Sequence, residues 1–449
     1  MTTTPPQRQA PRKGRTFLVA CFGTGLEYYD FLIYGLASSL VFGTVFFPSS
    51  TPLIGVLYSF GAFGVGFFAR PVGGLVIGHF GDRMGRQRML VLTLTIMGLA
   101  TFLIGCIPSF DSIGFWAPAL LVLLRLVQGF AAGGEWGGSA LVGMESAPEG
   151  HRGVWGSFTS MGIGVGTLLG GGVFALVSVL AGSSGLTSFA WRIPFWLGGI
   201  LALIGVVLRS SAKKKPTAPA VHSRGLPIVE AFRRAPRAVL LGAGVSFGYN
   251  SVAYITFTFL LTYLDRSGFS ETESLIGTLV MATVEIAVAF MAASLSDRFG
   301  RKKVMITGGV MAALFLFVCF PLLATGDFAV MLAVIIVTGV VIATMQGPLP
   351  TFLGEQFPAT VRYSALSAAY QAGAALGGGT APFIATALLV QFGDNAMGVA
   401  IYGAFLMALF VGCVAALRES AHLSTAEING EIVEVLQPKS RPEPQPERA

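Results

Sequence analysis

The chain has 449 residues, 53% of them hydrophobic and 11% charged, with 29 Lys and Arg against 22 Asp and Glu for a formal net charge of +7. Charged residues make up about a quarter of a soluble domain, so this composition excludes an ordinary soluble fold. The four cysteines (Cys21, Cys106, Cys319, Cys413) lie far apart in apolar runs, with neither metal-ligand spacing nor a disulfide framework.

A bilayer core takes about 20 mostly apolar residues per helix. Twelve such runs are predicted, over 17–43, 54–79, 89–108, 116–144, 154–180, 191–209, 238–264, 273–295, 304–323, 328–353, 364–390 and 396–417. The first follows Arg12, Lys13 and Arg15. It is too long for a signal-peptide core and lacks a small-residue cleavage site, so it reads as a retained helix. A polar, basic tail (1–16) precedes it and is expected to be disordered.

Of the 29 Lys and Arg, 25 fall in segments that a twelve-helix chain with both termini inside places in the cytoplasm. Arg70 and Arg125 fall within helices, leaving Arg192 and Arg266 for the outside. This bias orients the chain with both termini cytoplasmic. The basic charge is thus topological, and no nucleic-acid partner is expected.

In the first run Glu27 and Asp30 lie roughly 15–20 Å from the cytoplasmic end, near mid-membrane. They are three residues apart and Tyr34 is four further on, so the three share a face. Acids at that depth face the bundle interior and mark a functional site by default. The bland alternative is a helix-to-helix hydrogen bond that fixes packing.

The second run carries Arg70-Pro71 and ends in Gly78-His79-Phe80-Gly81-Asp82-Arg83-Met84-Gly85-Arg86-Gln87-Arg88. A shorter copy returns at Ser296-Asp297-Arg298-Phe299-Gly300-Arg301-Lys302-Lys303, with Asp297 placed 215 residues after Asp82. Arg70 precedes Asp82 by twelve residues and Glu285 precedes Asp297 by the same number, giving opposite charges at matched depth. The fourth run holds Arg125, then Glu135 within a glycine-rich stretch, and ends at Glu145.

Glu145-x6-Arg152 is echoed by Glu355-x6-Arg362, and the ladder Gly162/Gly166/Gly170 by Gly373/Gly377. Such small-residue ladders allow close helix contact. Three markers in one order at nearly one shift indicate an internal duplication.

A basic linker (211–236) separates the halves, 17–210 and 237–418, and a Pro-rich tail (419–449) follows, expected to be disordered. The expected fold is an all-α integral membrane protein of twelve transmembrane helices in two pseudo-symmetric six-helix bundles. Tyr249, Asn250 and Tyr254, Gln346, and Tyr370 with Gln371 are polar groups in otherwise apolar runs. Together with Tyr34 and Glu285 they read as a lining for a small polar solute, the alternative again being interhelical hydrogen bonds.

The Gly78–Arg88 stretch resembles the loop 2–3 motif of the major facilitator superfamily, and the twelve runs fit its 6+6 plan. Four stretches resemble more narrowly its metabolite:proton symporter family: Glu27-Tyr28-Tyr29-Asp30-Phe31 with Tyr34-Gly35, Arg70-Pro71-Val72-Gly73-Gly74, Gly133-Gly134-Glu135-Trp136-Gly137-Gly138, and Gln356-Phe357-Pro358-x3-Arg362-Tyr363. The resemblance covers residues 17–418 and implies a proton-coupled carrier of an organic acid or a betaine- or proline-like solute. The coiled-coil tail of osmosensing betaine carriers has no counterpart in 419–449, which argues against an osmosensory role.

On this reading the bundles rock about a central site. Asp82, Arg83, Arg86 and Arg88 with Glu145 and Arg152 are expected to clasp the cytoplasmic side, and Asp297, Arg298 and Arg301 with Glu355 and Arg362 to form the counterpart. Proton coupling needs an acid whose charge depends on the state of the site. Glu27, Asp30 and Glu135 are the candidates, with Arg70 and Arg125 as partners, and Asp30 beside Arg125 is singled out. The expected partners are a small solute, a proton and the plasma-membrane bilayer, with a monomeric chain and no cofactor. The rivals are a proton-independent facilitator and a transporter-fold sensor. The four histidines fall at or beyond helix ends on the cytoplasmic side and no P-loop or catalytic grouping is present, so an enzyme is not expected.

Overall fold

A computed structural model describes residues 13–48, 52–210, 232–233, 235–393 and 395–429. The expectations for the N-terminal tail up to residue 12, for the linker over 211–231 and for residues 430–449 lie outside the described residues.

Twelve long helices are present among the described residues: α1 Lys13–Ala37, α2 Pro52–Met84, α3 Arg86–Ile104, α4 Trp116–Ser146, α5 Arg152–Gly185, α6 Arg192–Ser210, α7 Pro236–Tyr254, α8 Glu271–Phe299, α9 Arg301–Leu323, α10 Phe328–Gln346, α11 Arg362–Gln391 and α12 Met397–Ala416. Eleven are long and apolar enough to cross a membrane. The remaining one is α1, whose apolarity is reduced by Glu27, Asp30 and three tyrosines. Large apolar side chains such as Phe68, Leu203, Leu314, Phe383 and Phe405 are exposed, as a lipid-facing surface requires.

The predicted run 328–353 is broken at Gly347-Pro348, and a short helix Leu349–Gly354 follows. Proline lacks an N–H and clashes with the preceding turn, so the ladder ends before it. π-helical turns extend α1 (Ser38–Phe42) and α7 (Ile255–Phe259), equivalent positions in the two halves.

The internal duplication is visible in the packing. Within the first half α1 packs on α5, α2 on α4 and α3 on α6; the second half repeats this with α7 on α11, α8 on α10 and α9 on α12. Both glycine ladders form these contacts. A Cβ on Gly166 would lie 2.2 Å from the Gly25 carbonyl oxygen, and one on Gly373 would lie 2.4 Å from that of Ala243. The turns after α2 and α8 are also matched, with φ of 100° at Gly85 and 103° at Gly300, a region that favours glycine.

The bundles meet along α2 against α11 and α5 against α8. Cross-bundle hydrogen bonds hold the end nearer the termini. Tyr363 Oη donates to the Gly134 carbonyl (2.8 Å), Ser160 Oγ to that of Gln346 (2.7 Å), and Thr351 Oγ1 to that of Arg152 (3.0 Å). The molecule is therefore closed at that end.

Residues 419–429, expected within a disordered tail, instead fold back on the bundles and include a short helix, Thr425–Asn429. The cause is tertiary: unsatisfied backbone donors at the start of α9 and buried arginines on both bundles bind this segment's acceptors.

Candidate functional site

Two buried acid–arginine pairs occupy the middle of the first bundle. Arg70 Nη1 lies 2.9 Å from Glu27 Oε1, and Arg125 Nη1 lies 3.5 Å from Asp30 Oδ2. Glycine makes this reach possible. A Cβ at Gly73, Gly129 or Gly133 would lie 1.9–2.2 Å from a backbone oxygen of the facing helix, so α2 and α4 touch backbone to backbone beside α1. Phe31 sits between the guanidinium groups, 5.2 Å from that of Arg70 and 5.4 Å from that of Arg125, while Tyr34 lies 4.3 Å from Arg125. Aromatic faces attract cations most strongly where water is scarce.

The two acids differ in their hydrogen bonding. Asp30 accepts from Thr101 Oγ1 at 2.6 Å and from Gln128 Nε2 at 2.9 Å on each oxygen. With Arg125 also present, its acceptor capacity is filled. Glu27 Oε2, by contrast, has no hydrogen-bond partner. Glu135 accepts from Thr93 Oγ1 and Ser139 Oγ, each at 3.1 Å.

The second bundle meets this cluster through aromatic residues. Tyr254 packs against Phe31 and Phe67, with centroids 5.7 and 5.4 Å away. Tyr370 stacks on Trp136 across the interface at 3.4 Å, with planes 5° apart, and shares a hydrogen bond with Tyr28. Gln371 Nε2 donates to the Gly133 carbonyl (3.1 Å) and Gln346 Nε2 to that of Ser160 (3.1 Å). Tyr249 and Glu285 are both buried. Asn250 Nδ2 donates to the Ser246 carbonyl of its own helix at 2.8 Å, and Ser246 donates to the Tyr370 carbonyl at 2.6 Å. That arrangement gives Asn250 a packing role between α7 and α11. Tyr34, expected in the solute lining, lies in an aromatic cluster with Phe42, Phe63 and Phe195 over Arg125.

The clasp at the terminal end is built by exchange between the repeats. Arg152 of the first bundle pairs with Glu355 of the second at 2.9 Å, and Arg362 of the second with Glu145 of the first at 3.6 Å. Arg301 joins Glu355 (3.4 Å) to Asp297 (2.6 Å). Asp297 in turn accepts from the backbone N–H groups of Gly153 and Val154 at 2.8 and 3.0 Å. The second motif copy thus reaches the first bundle through Asp297, while Arg301 ties Asp297 to Glu355 within its own half. Arg88 and Arg298 are exposed, Arg298 beside Phe299, and among the described residues neither bonds into this network. The side chains of Asp82, Arg83 and Arg86 lie outside the described residues.

The folded-back segment completes the clasp. Ser420 Oγ donates to Glu355 (2.6 Å), Arg152 donates to the Leu423 carbonyl, and Arg362 donates to Asn429 (2.9 Å). Burial opposes the charge on Glu419. The N–H groups of Ala421, Lys302, Arg301 and Ser420 outweigh it and hold the carboxyl below the usual carboxylate range.

Sequence reasoning did not single out Thr101, Gln128, Tyr28, Trp136, Ser160, Glu419 or Ser420 as site residues. Gln128 was within reach of such reasoning, since it lies three positions after Arg125 and so shares its face. The others act across helix pairs, or from the folded-back segment, that only the fold brings together.

Two six-helix repeats, a central buried charge cluster and a clasp across one end define a helical membrane transporter rather than an enzyme. The chain belongs to the Major Facilitator Superfamily, whose family model matches residues 20–293, and a second model, "Sugar (and other) transporter", matches 220–431. It is 40% identical to the shikimate transporter of Escherichia coli K12 over 421 residues, covering 90% of this chain and 92% of that protein. The proline/betaine transporter of the same strain is 32% identical over 405 residues, covering 86% and 80%. Among solved structures, the proton:xylose symporter XylE of E. coli bound to 6-bromo-6-deoxy-D-glucose matches 93% of this chain and 98% of its own, with a TM-score of 0.77 at 18% identity.

Proposed function

We propose that the chain is a proton-coupled symporter of a small carboxylate-bearing metabolite, working by alternating access in the plasma membrane with both termini cytoplasmic. The observation that carries this reading is the Glu27–Arg70 pair, buried at the bundle interface with one carboxylate oxygen unpartnered. A proton on Glu27 removes the charge that holds Arg70, and the freed guanidinium then takes the carboxylate of the solute. Proton and solute anion thereby occupy the site together, as symport requires. Asp30 keeps Arg125 in place through its full set of donors and acts as a positioning group. The relatives that carry shikimate and proline or betaine support a carboxylate as the shared feature of the solute. The positive-inside bias supports the orientation, and reporters placed within 211–236 and after Ala449 should both read cytoplasmic.

The test is transport in proteoliposomes with the shikimate or proline probe. Glu27→Gln should abolish accumulation driven by a pH gradient while keeping solute exchange between the two sides. Undiminished accumulation in that variant refutes the role of Glu27. Proton-independent uptake by the unmodified chain points to a facilitator instead.

A further inference from the structure

Glu285 stands apart from every other acid in the interior. It is 1% exposed on α8, and neither of its oxygens has a hydrogen-bond partner. Among the described residues, no ion pair to it is recorded, whereas Glu27, Asp30 and Glu355 each have an arginine. Burying a carboxylate without partners costs several kcal/mol, so a group kept in that condition calls for an explanation. A packing role is unsupported, because it holds no neighbour by any bond.

Its position narrows the explanation. Ala289, one turn further along α8, supports Gly347 of α10, where a Cβ would lie 2.2 Å from the Ala289 carbonyl oxygen. Ala282 and Ile286, on either side, face Gly164 of α5 at the bundle interface. Tyr249, Tyr254 and Tyr370 are buried as well. Tyr254 in turn packs on Phe31 and Phe67, whose rings lie 5.2 and 5.0 Å from the guanidinium assigned to the solute carboxylate. Two further acceptors on the second bundle are unpartnered and buried, Gln346 Oε1 and Gln371 Oε1, because each amide spends its N–H on a carbonyl of the first bundle. The two buried arginines of the site, Arg70 and Arg125, stand on the first bundle, and these three open acceptors on the second.

We propose that Glu285 is a specificity-determining residue that accepts a hydrogen bond from an O–H or N–H group at the end of the solute remote from its carboxylate. The substrate class is then a small carboxylic acid carrying hydroxyl or amine donors, selected against quaternary betaines, which have none. This inference rests on the carboxylate reading of Arg70 given above. A site built to accept from a donor rejects an analogue lacking it, since the acceptor is otherwise left buried and unpaired.

The experiment measures binding to the purified full chain in detergent with four probes. Shikimate is a hydroxylated carboxylate, and cyclohex-1-ene-1-carboxylate has its ring without the hydroxyls. Proline supplies an N–H donor, and glycine betaine supplies a cation without donors. The unmodified chain should bind shikimate or proline at least tenfold more tightly than the donor-free probes. Glu285→Leu should lose tenfold or more for the preferred probe and under twofold for the others. Glu285→Gln retains an acceptor and should lose less for a hydroxyl donor than for a charged amine, which separates the two donor sources. Both variants should melt at or above the temperature of the unmodified chain, because no bond is removed. Equal losses for donor-bearing and donor-free probes, no loss at all, betaine bound best, or a melting temperature lowered in both variants would each overturn the proposal. If the unmodified chain binds none of the carboxylates, the Arg70 reading fails first and this inference with it.

Discussion

Glu355 is the most consequential single residue of the clasp. Its fully buried carboxylate pairs with Arg152 at 2.9 Å and Arg301 at 3.4 Å and accepts from Ser420 Oγ at 2.6 Å. Glu355→Gln keeps the shape and removes the charge. Removing one partner from a buried ion pair costs about 3–5 kcal/mol, because the other charge remains buried. The lower end applies here, since Arg301 keeps Asp297 at 2.6 Å and Arg152 keeps the carbonyls of Ser420 and Leu423. A loss of about 3 kcal/mol shifts the closed–open equilibrium by roughly 150-fold at about 1.4 kcal/mol per tenfold. Spin labels on Glu149→Cys and Thr360→Cys, both exposed and on opposite bundles at the clasped end, report the distance across it. The background should lack Cys21, Cys106, Cys319 and Cys413. In the unmodified chain a short-distance population should dominate, and in Glu355→Gln a longer one should replace much of it. An unchanged distribution in folded Glu355→Gln protein refutes the claim that this network holds the closed state.

Glu419→Gln should weaken docking of the folded-back segment by about 1 kcal/mol, the order of a lost helix cap. Hydrogen exchange at the Arg301 and Lys302 amides would then quicken about fivefold. The folded-state carboxyl titrates below its ordinary range. Its contribution is therefore complete above the unfolded value of about 4.3 and is lost as pH falls through the lower folded value; protection that rises on acidification contradicts this. Gly166→Ala places a methyl 2.2 Å from the Gly25 carbonyl oxygen and should cost roughly 1–3 kcal/mol by overpacking. Gly172→Ala, with nothing within 4 Å, should leave the melting temperature unchanged.

The fold was legible in the sequence because lipid constrains it so strongly. Twelve apolar runs had to be helices, since a bilayer satisfies no backbone polar group, and two copies of one charged turn revealed the duplication. Gly166 and Gly373 were recognisable as contact positions because only glycine admits a backbone at that distance. Glu27, Asp30, Arg70 and Arg125 stood out because charge is costly at that depth. Their pairing was only half legible. Spacing along α1 places the acids on one face, but which arginine meets which acid depends on how α2 and α4 cross. The clasp shows the limit most clearly. Glu145-x6-Arg152 and Glu355-x6-Arg362 read as two units, yet the structure pairs Arg152 with Glu355 and Arg362 with Glu145. Residues 419–429 read as a disordered tail because composition reports only what a segment can bury by itself. Glu419 finds its donors on α9 and Ser420 its acceptor at Glu355, groups more than sixty residues away, and only the tertiary structure brings those partners within reach.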